Sequence, residues 1–398
     1  TRVKGDVGMK KSTVFPILPL GKICILHSGG TPRRSNNKYY GGNIPWAKIA
    51  DLDTENGIVV DTEEYITVEG LQAINNRIFP KGSILLAMYG SIGKLAIAGR
   101  DISCNQAILG IQIKDKEHLD INYLRLWLTS IKATLEFQGR GVTQQNISKS
   151  IVEKLEIPLP PLEEQRRIAA ILDKADGVRR KRKEAIRLTE ELLKSTFLEM
   201  FGDPVTNPKG WEIVKIENII ELVSGQVDPR ESPYSNMLHV GGDNIESGTG
   251  EISGCKTPAE LSLISGKYLF RKGDILYSKI RPYLNKVSLP DFDGVCSADI
   301  YPIRVNHSCV TPIYMTSILR SKGFLEYAEK HSTRTNIPKI NRKALLSFEC
   351  PLPPLGLQNQ FTNSANKILK IKDHEKTGVD KANNLFNSLL QKAFRGEL

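Results

Sequence analysis

The chain has 398 residues, 40% of them hydrophobic and 25% charged, with a formal net charge of +11 and a pI near 9.2. At roughly 150 residues per domain this length implies at least two cores, and the hydrophobic content excludes a disordered chain. No run approaches the roughly 18 uncharged apolar residues of a membrane helix. Pro16, after Lys10-Lys11-Ser-Thr-Val-Phe, stands where a secretory segment would be apolar, so a soluble cytoplasmic protein without a membrane partner is expected.

In chain order, the first globular stretch reads as strands and turns. Apolar runs at Ile84–Met88, Leu95–Ala98 and Ala107–Leu109 are separated by glycine-bearing connections, as in an antiparallel sheet. Residues 121–137 read as a helix on Leu124, Trp127, Leu128, Ile131 and Leu135. The proline block Ile157-Pro-Leu-Pro-Pro-Leu-Glu-Glu-Gln165 follows, then a long helix to about Phe201, stopped by Gly202-Asp203-Pro204. Its apolar positions include Ile168, Leu172, Val178, Leu192 and Phe197. The second half repeats the plan, with strands around 275–305, a helix over about 312–330, and a final helix on Phe361, Ala365, Ile368, Ala382, Phe386 and Ala393.

The repetition is explicit in the residues. Cys350-Pro-Leu-Pro-Pro-Leu-Gly-Leu-Gln358 answers the first proline block at an offset of 193, which also carries Leu192, Leu193, Ser195 and Phe201 onto Leu385, Phe386, Ser388 and Phe394. Upstream the offset drifts. Phe79-Pro-Lys-Gly-Ser-Ile-Leu answers Phe270-Arg-Lys-Gly-Asp-Ile-Leu at 191, Ser28-Gly29 answers Ser224-Gly225 at 196, and Asn146-Ile-Ser-Lys is matched to Asn336-Ile-Pro-Lys at 190. The fold class that follows is α+β, with an internal pseudo-two-fold repeat. Two globular mixed α/β domains, mainly of antiparallel strands, are separated by two long helices that pair as an antiparallel coiled coil. The boundaries fall at 1–157, 158–203, 204–350 and 351–398. Thr1–Gly8, ahead of Met9, reads as an added remnant.

Each helix of about 35–40 residues would span roughly 50–60 Å, too long to hide its stripe within a small domain. Polar residues interrupt both stripes at equivalent places: Arg179 and Arg182, Lys372 and Glu375. Matched at their centres, the helices set Glu375 against an arginine, most simply Arg179. The run Arg179–Lys183 is nearly balanced by acids in the same helix and reads as a solvated face.

Motifs of catalysis are missing. Gly90-Ser-Ile-Gly93-Lys94-Leu95 lacks both the glycine spacing and the hydroxyl of a phosphate loop. There is no N-P-P-[YF] motif, no G-x-G-x-x-G after a strand, and no acid-x-lysine completing Pro290-Asp291. The six cysteines and six histidines are scattered without metal-ligand spacing, so reduced, mostly buried thiols and no metal are expected. Recognition remains. The loops gather cations, amides and aromatics: Arg33, Arg34 and Lys38; Tyr89, Ser91 and Lys94; Arg140, Thr143, Gln144, Gln145 and Asn146. The second half offers Tyr277, Ser278, Lys279 and Arg281, then Arg334, Thr335, Asn336 and Lys339. Arginine can grip guanine and amides adenine, while lysine and hydroxyls hold phosphates. The same compositions occur in plain surface loops.

Pro158-Leu-Pro-Pro-Leu-Glu-Glu-Gln-Arg-Arg-Ile168, Phe201-Gly-Asp-Pro before Trp211, and the ending Ala393-Phe-Arg-Gly-Glu-Leu398 resemble the specificity subunits of type I restriction-modification systems. The resemblance covers nearly the whole chain. It implies two target-recognition domains, each reading one half of a split double-stranded DNA target, held apart by a helical ruler. It further implies two docked methyltransferase subunits, and restriction subunits that add ATP-driven translocation and cleavage. S-adenosylmethionine, ATP and Mg would then sit on those partners and no cofactor on this non-catalytic chain. The pattern departs at Leu357, where a glutamate is expected, and at Phe361. An enzyme modifying or cutting DNA alone, or an adaptor without DNA contact, are the competing readings.

Overall fold

The computed structural model describes residues 15–54, 56–138, 146–333 and 336–398. By its internal contacts the chain divides into two compact units, residues 1–184 with 375–398, and residues 185–374.

In the first unit β1 (Ile17–Pro19), α1 (Leu20–Ile23) and β2 (Cys24–Ser28) are followed by β3 (Tyr40–Ala47), β4 (Ile58–Val59), β5 (Tyr65–Ile66) and α2 (Val68–Gln72). Next come β6 (Ile84–Ala87), β7 (Leu95–Ala98), β8 (Ser103–Cys104), β9 (Ile108–Ile113), α3 (Ile121–Ser130), α4 (Lys132–Gln138), α5 (Lys149–Glu153) and β10 (Glu156–Pro158). A five-stranded sheet of order β2-β9-β6-β7-β4 and a three-stranded sheet β5-β3-β8 carry the unit, while β1 pairs with β10. Pairing is mainly antiparallel, with β4–β7 and β3–β8 parallel. The strands of the central hairpin are apolar on both faces, because Leu86 packs into the main core and Leu85 into a second one behind the sheet. The helix expected over 121–137 is two: Thr129 and Ser130 turn their hydroxyls back onto the Arg125 and Trp127 carbonyls at the break, an alternative to continuing the helix.

The first long helix, α6, runs Leu162–Phe201 over 40 residues. Gly202, at φ +79, ends it and donates its N–H to the Leu198 carbonyl, the left-handed C-terminal cap glycine adopts most easily.

The second unit contains β11 (Ile213–Lys215), β12 (Ile220–Leu222), β13 (Gln226–Val227), β14 (Leu238–Val240), β15 (Lys267–Phe270), β16 (Ile275–Ser278), β17 (Val287–Ser288), β18 (Gly294–Cys296) and β19 (Ile300–Val305). Then follow α7 (Pro312–Leu319), α8 (Lys322–Lys330), α9 (Arg342–Leu346) and β20 (Glu349–Pro351). Its sheets have the orders β12-β19-β16-β17 and β13-β15-β18-β14, and β11 pairs with β20 as β1 does with β10. Here too the single expected helix is interrupted, because the Ser321 hydroxyl caps α8 by accepting from the Phe324 N–H. The second long helix, α10, runs Leu355–Phe394.

The long helices lie antiparallel within each unit. In the first, Ile168, Leu172, Phe386, Leu390 and Ala393 join one core with Tyr123, Leu124 and Trp127. In the second, Phe197 and Phe201 meet Tyr314 and Phe361, with ring centroids 4.9–5.7 Å apart. Val178 and Leu192, expected in the stripe, are instead about half exposed, as are their counterparts Ile371 and Leu385. A helix pair has only one seam, and these positions fall outside it.

The central contact also differs from expectation. Glu375 takes Arg182, with Nη1 to Oε2 at 2.9 Å, rather than Arg179. The two residues stand 193 apart, the repeat offset itself. In an antiparallel pair of like helices only the central position meets its own copy, so this contact marks the centre. Arg179, three residues away on the same face, lies 4.4 Å over the Phe386 ring and bonds Asp176. Gly378 makes room: a Cβ there would stand 2.2 Å from Arg182 Nη1. Lys372 does not reach the centre. It is buried and holds Glu190 and Glu251, each at 2.7 Å. Among the described residues no helix is long and apolar enough to cross a membrane.

Candidate nucleic-acid interface

The proline block is the joint between each long helix and its globular fold. Gln165, fully buried, accepts from the Asp120 N–H (2.9 Å) and donates to the His118 and Pro160 carbonyls (2.8 Å each). Gln358, equally buried, accepts from the Thr311 N–H (2.9 Å) and donates to the Cys309 and Pro353 carbonyls (3.0 and 2.8 Å). Beside them the Tyr123 and Tyr314 hydroxyls donate to the Pro158 and Pro351 carbonyls. Each amide spends both donors and one acceptor on backbone groups, which locks the helix start to the helix that follows the sheet. The glutamate missing at Leu357 is not part of this lock: Glu164 is on the surface with Arg167, and Leu357 packs against the core.

From that joint the backbone builds the same frame twice. Met88 N–H donates to the Ala107 carbonyl (2.8 Å) and Ile147 N–H to the Met88 carbonyl (3.0 Å); Lys279 N–H donates to Asp299 (3.0 Å) and Ile340 N–H to Lys279 (3.1 Å). Ala87 to Lys94 and Ser278 to Lys286 close the two turns at 2.8 and 3.0 Å. The bridges Tyr89–Asn146 and Ile280–Lys339 occupy the same place. Two loops per unit are therefore brought together beside the sheet. Gly90 sits there at φ +63 and Arg281 at φ +48; the arginine holds this left-handed conformation at a cost of about 1–2 kcal/mol.

The side chains on the two frames are unlike. In the first unit Tyr89 is partly exposed, Ser91 is exposed, and Lys94 reaches Asp53 at 3.3 Å. In the loop of residues 31–40, Arg33 and Lys38 are exposed. The Arg34 guanidinium lies 4.7 and 4.9 Å from the Tyr40 and Trp46 rings and is bound to Glu64. That hydrogen bond, with a second from Lys48, holds the Glu64 carboxyl below the usual carboxylate range and raises Arg34. In the second unit Ile280, Asp299, Thr333, Asn336, Ile337 and Lys339 line an open groove of about 730 Å³. Lys279 borders it, bonded to the Ala298 carbonyl and 3.5 Å from Asp299.

Residues 13–188 and 208–371 match the family described as the type I restriction modification DNA specificity domain. The chain belongs to this family. The EcoDI specificity subunit of Escherichia coli is 29% identical over 372 residues, 84% of this chain and 82% of that protein. The MjaVIII specificity subunit of Methanocaldococcus jannaschii is 25% identical, with 89% of each covered. A solved S subunit from M. genitalium shares the fold, with a TM-score of 0.56, 15% identity, and 97% and 98% of the chains covered. A chain from a study of assembly and conformational transition of the type I system gives 0.55 at 20% identity, over 98% and 100%.

In this DNA specificity subunit several residues singled out from sequence take other positions. Tyr277 and Ser278 are buried in β16: Tyr277 is the counterpart of core Leu86, and the position of Tyr89 is filled by Ile280. The burial also raises the Tyr277 hydroxyl's pKa. The match of Asn146 with Asn336 is likewise replaced. Ile147 and Ile340 are both buried while Ile337 is exposed, and Ser148 and Asn341 both cap the following helix, so the block offset of 193 extends back to Asn146 and Lys339. Arg140, Thr143, Gln144, Gln145, Arg334 and Thr335 lie outside the described residues. Of the expected second set, Asn336 and Lys339 line the groove, Lys279 reaches it through Asp299, and Arg281 donates its backbone N–H to the Pro338 carbonyl. Asp299 was missed, because a lone acid in a basic protein carries no sequence signal. Gln165 and Gln358 were visible in the repeated motif, but two of the three partners of each lie 45–49 residues away.

Proposed function

We propose that this chain reads a split target of two unlike half-sites, one per globular unit, separated by an unread spacer whose length the paired helices keep constant. The observation that supports this most is the duplicated backbone frame bearing different side chains: Met88, Tyr89, Ala107 and Asn146 against Lys279, Ile280, Asp299 and Lys339. A shared frame docks each unit alike, and unlike side chains read unlike bases. Exposed residues such as Arg33, Lys38, Arg281 and Lys339 supply phosphate contacts.

Two methyltransferase subunits are the proposed partners on the helices. Val178 with Leu385 in the first unit, and Ile371 with Leu192 in the second, are the same two repeat positions, apolar and exposed both times. Two copies of one partner would find equal footholds there. Restriction subunits complete the assembly, and S-adenosylmethionine, ATP and Mg are used by those partners in the cytoplasm. The test is geometric. Adding one turn to each long helix, about 5.4 Å, is expected to lengthen the methylated target's spacer by one or two base pairs with both half-sites unchanged. An unchanged spacer refutes the ruler, and exchanging residues 1–157 for those of another specificity subunit must alter one half-site alone.

A further inference from the structure

We propose that Asp299 is a base-reading acceptor that selects an exocyclic amino group, as on cytosine or adenine, at one position of the second unit's half-site. The inference rests on the DNA-specificity reading above and names the chemistry of one subsite within it.

The groove is lined by one cation, Lys339, and one carboxylate, Asp299, among apolar and neutral polar residues. Lys339 is attracted to the DNA backbone, whereas Asp299 is repelled by it. The donors that the major groove offers a carboxylate are the amino groups of cytosine and adenine. Asp299 pairs with Lys279 and is still presented to solvent. Its side chain is 61% exposed while that of Lys279, 3.5 Å away, is 20% exposed, so the cation is tucked behind and the carboxylate stands forward. Its backbone is held on both sides, the N–H donating to Ser297 Oγ (3.2 Å) and the carbonyl accepting from Lys279 (3.0 Å). This fixed stem limits the conformational cost of reading a base.

The frame does not demand an acid. In the first unit the same position is Ala107, whose N–H donates to Asn105 Oδ1 (3.1 Å) and whose carbonyl accepts from Met88. The fold is built equally well without the carboxylate, so its presence in one unit answers to what that groove meets. Asn336, which also lines the groove, has an amide of the kind that pairs with an adenine edge.

The test uses the full chain assembled with its methyltransferase subunits and a randomised duplex library, selected at near-physiological salt. The unsubstituted chain is expected to enrich a two-part motif in which one position of one half is held to cytosine or adenine on one defined strand, since every base pair carries one such amino group and only its strand is selective. Asp299→Ala should erase that preference, a loss of about five- to a hundredfold in discrimination, leave every other position intact, and raise affinity for unrelated DNA. Asp299→Asn keeps one acceptor and should retain a weaker preference. If Asp299→Ala enriches the same motif at every position, the subsite is refuted while the family reading stands. If the unsubstituted chain enriches no motif, the DNA-specificity reading falls and the subsite with it.

Discussion

Replacing Gln165 with leucine should strike the first unit at its joint. The side chain is fully buried and makes hydrogen bonds of 2.8, 2.8 and 2.9 Å to the Pro160 and His118 carbonyls and the Asp120 N–H. Leucine fills a similar volume but bonds none of them. Orphaning a buried neutral polar group costs about 1–3 kcal/mol; two of the three groups are only partly buried and recover some of that from water. The expected loss is therefore about 3–5 kcal/mol. With a urea slope of about 2–3 kcal/mol/M for a domain of this size, the midpoint should fall by roughly 1–2 M. Trp46 and Trp127 report on this unit and Trp211 on the other, so tryptophan replacements can separate the two transitions. Gln165→Leu should shift only the first, and Gln358→Leu only the second. A loss below about 1 kcal/mol, or equal shifts of both transitions from either change, would refute the lock.

A double-mutant cycle on Arg182 and Glu375 should give a coupling of about 0.5–1 kcal/mol, modest because both side chains are partly exposed, while Arg179 with Glu375 should give none; the reverse order would restore the register first expected. Gly378→Ala gains about 1 kcal/mol by helix propensity but must displace the Arg182 guanidinium, so a thermal scan should show no gain. Lys372 is penalised by burial, yet the hydrogen bonds it donates to Glu190 and Glu251 outweigh this and raise its pKa. Its contribution is then fully present below the unfolded value of about 10.4 and lost as pH climbs through the folded one. Stability should fall more steeply for the unsubstituted chain than for Lys372→Met as pH rises past about 10.4, and parallel curves would contradict this. Arg33→Ala and Lys38→Ala should each reduce the salt dependence of DNA binding by about 0.9 in log–log slope. Arg34→Ala should reduce it little, because Glu64 already holds that cation; a full-sized effect would show Arg34 free to leave it.

Periodicity and repetition lie along the chain, and so the two-part plan, the proline joints and both long helices were legible from residues alone. A helix of period 3.6 announces itself, and a block such as Pro158–Ile168 announces its twin. Register does not. Arg179 and Arg182 share a face of α6, and only the packing of Phe386 and the space over Gly378 decide which one meets Glu375. Nor does the chain say which loop tyrosine is inside. Tyr89 and Tyr277 look alike in sequence, yet one bridges to Asn146 in the neighbouring loop and the other fills a core beside Phe324. Insertions shift the offset from 191 to 193 between these landmarks, and the hydrogen bonds of the shared frame, made by residues far apart in sequence, are what identify Asp299 as the counterpart of Ala107. Local pattern encodes which elements form, whereas position within a site is set by non-local packing that no short window of sequence contains.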